Sequence, residues 1–244
     1  MTTASTTRMS LFSSSIGLKA TMAATGIVYV GFVFAHMAGN LQIFLGAEAI
    51  NTYAYNLQHM GPMLGKSGAI VWGARVFLLI CLALHVFTAI KLKMRNTSAR
   101  TAKYVSKNTI QASIASRYMM LSGILILSFI VYHLLHFTFL PHYLSPAYPE
   151  MMSHPLHGVQ ISMHNVYGMI VASFQIPAIA IFYIVCQALL GLHLSHAVAS
   201  VVQTAGFDHP RHRPRIEKFS LSYGWVIFLG NSAIPAAILL GLLK

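Results

Sequence analysis

Residues 69–93 read AIVWGARVFLLICLALHVFTAIKLK, an unbroken apolar run that holds one arginine, Arg75, and one histidine, His85, before it reaches Lys91 and Lys93. A helix needs about 20 predominantly apolar residues to cross the roughly 30 Å hydrocarbon layer, so this run is long enough to span it. Four more stretches of the same kind lie near 20–45, 118–140, 166–203 and 221–243. No period-two alternation runs through them, which argues against a lipid-facing barrel. The composition agrees: 56% of the 244 residues are apolar, 8% are charged and the mean hydropathy is +0.66. Ordinary soluble domains carry about 25% charged residues. With no composition break and no fixed-period repeat, the expected fold is an all-α membrane protein, a single domain over 1–244 built as a bundle of five transmembrane helices.

The net charge of +12 could point to nucleic acid, but its placement points to a membrane. Most Lys and Arg fall in three segments: Arg8 and Lys19; Lys91, Lys93, Arg95, Arg100, Lys103, Lys107 and Arg117; and Arg211, Arg213, Arg215 and Lys218. They alternate with the loops 46–68 and 141–165, which hold one basic residue between them, Lys66. The positive-inside rule then puts the N-terminus in the cytoplasm and the C-terminus outside. The basic faces are expected to meet anionic lipid headgroups or an acidic partner, and no nucleic acid. The first 19 residues carry no apolar run before a cleavage site, so no removable signal peptide is expected.

Four of the thirteen histidines, His36, His85, His133 and His193, lie inside four different spans. Ionisable groups at membrane depth are costly and mark functional sites, so each needs a partner. Two metal centres with two imidazoles each would supply one for all four. Depth decides the pairing at about 1.5 Å per helical residue. His36 is seventeen residues beyond Lys19 and His133 sixteen beyond Arg117, which places both roughly 25 Å from the cytoplasmic charges. His85 is six residues before Lys91, about 9 Å from that side, and His193 nears the cytoplasmic end of its span. The pairs are therefore His36 with His133 in an outer layer and His85 with His193 in an inner one, near 15 Å apart. That spacing suits two redox centres.

A flat macrocycle between helices needs small neighbours, and Gly31, Gly39, Ala89, Gly191 and Ala197 flank the four. Anionic substituents near the inner surface would find Lys91, Lys93, Arg117, Ser14, Ser15 and Thr21. His136 and His196 each follow a proposed ligand by three residues, so either member of each couple could ligate. Cys81 and Cys186 sit within spans and read as small packing residues, and no C-x-x-C-H is present for covalent haem. The loop 141–165, with His142, His154, His157 and His164, follows no zinc spacing and reads as an interfacial segment. Pro177 is expected to kink a fourth helix longer than the membrane requires.

The chain resembles the five-helix, single-subunit dihaem cytochrome b anchors of succinate:quinone oxidoreductases and quinol:fumarate reductases. The likeness rests on Ser14 to Lys19 (SSIGLK), His36 to Leu41 (HMAGNL), Ala83 to Val86 (ALHV), Ser122-Gly123 before His133, and Gly191 to His196 (GLHLSH) followed by Ser200 and Gln203-Thr204. It implies that His36, His133, His85 and His193 are axial ligands of two haems b, which favours His133 over His136 and His193 over His196. It also implies electron transfer between an iron–sulfur subunit and a membrane quinone, menaquinone or ubiquinone, in a bacterial inner membrane. FAD and the iron–sulfur clusters would belong to partner subunits, a flavoprotein and an iron–sulfur protein, and the dicarboxylate chemistry would lie there too.

Some menaquinol:fumarate reductases carry a glutamate two residues before the fourth ligand, where this chain has Gly191. All four acids, Glu48, Glu150, Asp208 and Glu217, lie outside the expected spans, so no carboxylate proton wire is expected through the bundle. A quinone needs an apolar slot with a few polar groups, for which Asn40, Gln42, Gln58, His59 and Arg75 are the outer candidates and Ser15, Lys19 and Arg117 the inner ones. The bc-type cytochromes b place two ligands on each of two helices, a pattern absent here. A transporter relaying protons through histidine is the reading from a different class, and it predicts broken helices near the midplane.

Overall fold

A computed structural model describes residues 14–60, 68–99, 118–139, 151–156 and 159–244. In chain order the elements are α1 (Ser15–Asn40), α2 (Ala47–His59), α3 (Ala69–Ser98), α4 (Met119–Leu134), the hairpin strands β1 (Met151–Leu156) and β2 (Val159–His164), α5 (Val166–Phe174), α6 (Pro177–Thr204) and α7 (Arg213–Leu239). A 3₁₀ turn, Leu41–Leu45, continues α1, and a π-turn, Leu135–Phe139, continues α4. Five of these helices, α1, α3, α4, α6 and α7, are long and apolar enough to cross a membrane, and the protein is a multi-pass helical bundle.

Local chemistry sets the boundaries. The Ser14 hydroxyl accepts from Gly17 N–H at 2.9 Å and caps α1. Gly46, at φ 109°, turns the chain from the 3₁₀ segment into α2. α6 and α7 both end in Schellman closures: Gly206 (φ 86°) with Phe207 N–H donating to the Val202 carbonyl, and Gly241 (φ 71°) with Leu242 N–H donating to the Ala237 carbonyl.

The expected spans differ from the helices in three ways. The fourth is broken rather than kinked, because Pro177 holds Ile176 extended (ψ 109°) and starts α6 at its own first position. The first, second and fifth helices overrun their apolar stretches at the charged side. α1 begins at Ser15, α3 continues to Ser98 and α7 begins at Arg213. Hydropathy registers the hydrocarbon layer alone, whereas helical hydrogen bonding continues through the headgroup region. The loop 46–68 also contains a helix, α2, with Tyr53 packed over α1 at Gly39. A Cβ built at Gly39 would lie 2.5 Å from the Tyr53 hydroxyl.

α6 and α7 form the closest antiparallel pair. A Cβ on Gly191 would come within 2.8 Å of the Gly224 carbonyl, and the Ser220 hydroxyl bridges the Ser195 carbonyl and the Ala199 N–H. Two tyrosines staple neighbouring helices through backbone carbonyls, Tyr29 to Leu78 and Tyr223 to Val30, each at 2.6 Å. α2, the hairpin and α5 meet at one end of the bundle, where the buried Asn51 accepts from Tyr167 N–H at 2.9 Å. The opposite end carries Lys19, Lys91, Lys93, Arg95 and the Arg211–Lys218 segment. These are called the capped end and the basic end below. The principal core cluster lies toward the capped end and includes Ile43, Phe129, Phe174, Tyr183, Cys186 and Ile234. Both cysteines are buried free thiols.

Candidate cofactor-binding site

Four helices each contribute one histidine: His85, His133 and His193 are half-buried, and His36 is exposed. Near the capped end, His36 of α1 and His133 of α4 face one another with ring centroids 5.8 Å apart and planes at 82°. Phe32 flanks His36 at 5.5 Å and Phe129 flanks His133 at 5.9 Å. The Asn40 amide sits 3.1 Å from Nδ1 of His36, while Nδ1 of His133 is buried without a hydrogen-bond partner. Nearer the basic end, His85 of α3 and His193 of α6 lie within electrostatic reach of one another. Thr25 Oγ1 is 3.1 Å from Nδ1 of His85, and Ser122 Oγ is 3.1 Å from Nδ1 of His193.

The alternative histidines are placed differently. His136 is fully buried, its Nδ1 hydrogen-bonded to the Tyr183 hydroxyl at 2.9 Å and its ring stacked on Phe137 at 4.1 Å. His136 lies in the π-turn and is enclosed by the core with its Nε2 buried and unpartnered, whereas His133 is half-buried. His196 lies one turn beyond His193 and close enough to affect it electrostatically.

Three features fit a metal group held by two opposed imidazoles. Metal–imidazole bonds near 2.0 Å put two trans nitrogens about 4 Å apart and their ring centroids about 6 Å apart, close to the separation of His36 and His133. In the basic-end pair, both Nδ1 atoms are engaged by hydroxyls, which leaves Nε2 for coordination. Finally, α1 packs on α3 and on α6, and α4 packs on α6, whereas neither α1 with α4 nor α3 with α6 has substantial contact among the described residues, so the paired histidines come from helices that are not packed on one another. No group of three or more His, Cys, Asp or Glu placed to hold a metal occurs among the described residues. A two-imidazole site needs no such group.

The expected small neighbours serve other contacts. Gly39 admits Tyr53 and Gly191 admits Gly224, whereas Gly31 borders open space. The glycines beside imidazoles are Gly26, whose Cβ would lie 3.8 Å from Cε1 of His85, and Gly123, whose Cβ would lie 3.7 Å from Cε1 of His193. Thr25 and Gly26 were not legible as site residues, since a threonine in an apolar helix carries no signal without its partner across the bundle.

Of the anionic-group candidates, Ser14 is spent as the α1 cap and the Thr21 hydroxyl donates to the Gly17 carbonyl at 2.9 Å. Ser15 lies 3.4 Å from the Arg95 guanidinium, Lys91 sits over the Phe87 ring at 5.2 Å, and Lys93 is exposed. Arg117 lies outside the described residues, as do His142, His157 and Glu150. The quinone candidates disperse. Asn40 belongs to His36, His59 stacks on Tyr55 at 4.0 Å, Gln58 ends α2 beside Gly68, and Arg75 lies exposed on α3 over Trp72 at 4.9 Å. Only Gln42 of the five lines the open groove of about 470 Å³ at the capped end, with Leu45, Glu48, Ala49, Thr52, Tyr53 and Asn56.

No family model, no curated protein and no solved structure matches the chain.

Proposed function

We propose that this chain is a dihaem cytochrome b membrane anchor of a succinate:quinone oxidoreductase or quinol:fumarate reductase, in a bacterial inner membrane. The observation that carries the reading is that His36 and His133 meet from two membrane-spanning helices that are not packed on one another, while hydroxyls stand on Nδ1 of His85 and His193 on two further spans. His36 and His133 would hold one haem b, and His85 and His193 the other. The haems, when bound, supply one-electron transfer across the bundle.

The protein's own part is orientation and burial. Coordination through Nε2 requires a proton on Nδ1, and the hydroxyls of Thr25 and Ser122 would accept a hydrogen bond from that N–H in His85 and His193. For His36 the Asn40 amide stands at Nδ1 with Nδ2 as the nearer end, and turning the amide end for end would present Oδ1 as the acceptor. Lys91, Lys93 and Lys19 at the basic end suit anionic substituents and an acidic iron–sulfur partner. The flavoprotein bound beyond that partner would hold the dicarboxylate. Quinone exchanges with the bilayer, and the groove lined by Gln42 offers it a polar edge against Leu45 and Ala49.

The test is a reduced-minus-oxidised visible spectrum of the purified chain with pyridine haemochrome quantitation. Two b-type haems per chain are expected. A colourless protein would leave the histidine-relay transporter as the better reading, and one haem per chain would remove one of the pairs. Co-purification with an FAD-bearing and an iron–sulfur polypeptide tests the assembly.

A further inference from the structure

α1 and α4 carry the same short pattern at the same spacing. Thr25-Gly26 precedes His36 by eleven residues counted from Thr25, and Ser122-Gly123 precedes His133 by eleven counted from Ser122. Eleven residues make just over three full α-helical turns, so the hydroxyl and the histidine share one face about 16 Å apart. In each case the histidine faces its capped-end partner, and the hydroxyl engages a basic-end histidine on the helix packed alongside. Thr25 reaches His85 on α3, and Ser122 reaches His193 on α6, both at 3.1 Å.

The direction of these bonds is fixed by where the hydroxyl protons go. Thr25 donates to the carbonyls of Thr21 at 2.9 Å and Met22 at 3.1 Å, and Ser122 donates to the Met119 carbonyl at 3.1 Å. With its one proton committed, each hydroxyl is left to accept, so the proton between oxygen and imidazole belongs to Nδ1. The glycine after each hydroxyl sets the approach. A methyl there would already touch the imidazole at Cε1, and a larger side chain would displace it.

We propose that Thr25-Gly26 and Ser122-Gly123 are twin positioning clamps that hold His85 and His193 as Nδ1–H tautomers and set the redox potential of the basic-end group independently of the capped-end one. The inference rests on the haem reading above. A neutral oxygen accepting from Nδ1–H makes the imidazole a more basic ligand, which favours the ferric state. At the capped end no hydroxyl takes part: the Asn40 amide stands at Nδ1 of His36, and Nδ1 of His133 has no partner. The two sites are therefore tuned by different groups although they share two helices.

Potentiometric titration of the visible spectrum tests the clamp in the full chain. Thr25→Val and Ser122→Ala are each expected to raise the potential of the component that His85→Ala abolishes, with at least a threefold shift in its ferric–ferrous equilibrium, about 30 mV at 59 mV per tenfold. The component abolished by His36→Ala should stay in place and report that the variant is folded. Thr25→Ser and Ser122→Thr should restore the parent value. If a variant loses its haem, Thr25→Cys and Ser122→Cys, whose sulfur accepts weakly, should shift the same component by a smaller factor. An unmoved basic-end component in haem-replete Thr25→Val and Ser122→Ala, unmoved cysteine variants, or failure of the hydroxyl swaps to restore it would overturn the clamp. A parent chain without b-type haem would instead overturn the functional reading beneath it.

Discussion

At the scale of single residues, the question is which histidines of a rich set can act. Depth along the helices was legible in the sequence, because rise per residue is fixed, and it puts His36 and His133 in one layer. Which ring of a neighbouring couple turns into the core was not legible, because it depends on winding. An ideal helix would keep His133 and His136 nearly on one face, but the π-turn at Leu135–Phe139 sends His136 into the core. There it bonds Tyr183, a ring in contact with Phe129, Tyr132, Phe137, Phe174 and Phe182. Tyr183→Phe removes one hydrogen bond and keeps these contacts, so it should cost about 0.6 kcal/mol and at most roughly 1.7, as interhelical bonds in membranes do. Tyr183→Ala should cost about 3–5 kcal/mol through the cavity it leaves. Thermal unfolding in detergent distinguishes the two. On the proposed haem reading, His36→Ala and His133→Ala should erase one spectral component, and His85→Ala and His193→Ala the other. Loss of the same component from His36→Ala and His85→Ala would show the pairing to be wrong.

At the scale of elements, close helix contact depends on where side chains are missing. Gly191 and Gly224 let the backbones of α6 and α7 meet, and a methyl on either would press on the other's carbonyl. Gly224→Ala should destabilise the protein by about 1–3 kcal/mol, as overpacking does. Gly31→Ala, with open space around it, is the control and should be near neutral. The spacing within α4 gives a second prediction. One residue inserted between Gly123 and His133 turns His133 by about 100° relative to Ser122, so the helix can satisfy the clamp or the capped-end pair but not both. One of the two haem components should disappear from the spectrum while the other remains. The sequence read Gly191 as room beside a ligand, since a lone glycine does not reveal which of its neighbours needs the space. Pro177 was legible as an interruption and α2 was not, because a short amphipathic helix lacks the apolar length that marks a span.

At the scale of the whole molecule, the bundle has a basic end and an end covered by α2, the hairpin and α5. The positive-inside rule assigns the basic end to the cytoplasm. Ser153→Cys, exposed in β1, should then react with a membrane-impermeant thiol reagent added to intact cells, and Gln203→Cys, exposed near the end of α6, only after lysis. Cys81 and Cys186 are buried and give a low background. The opposite labelling pattern would invert the topology. What the sequence by itself determined was the number of membrane-crossing helices, the layer of each histidine and the charge asymmetry of the ends. All three follow from properties that accumulate along one chain: apolar length, helical rise and net charge. What only the tertiary structure decided was the set of contacts: Thr25 and Ser122 on the imidazoles of adjacent helices, Tyr183 on His136, and Gly191 against Gly224. Each of these depends on the rotation and register of two helices at once, which the periodicity of either helix alone does not fix.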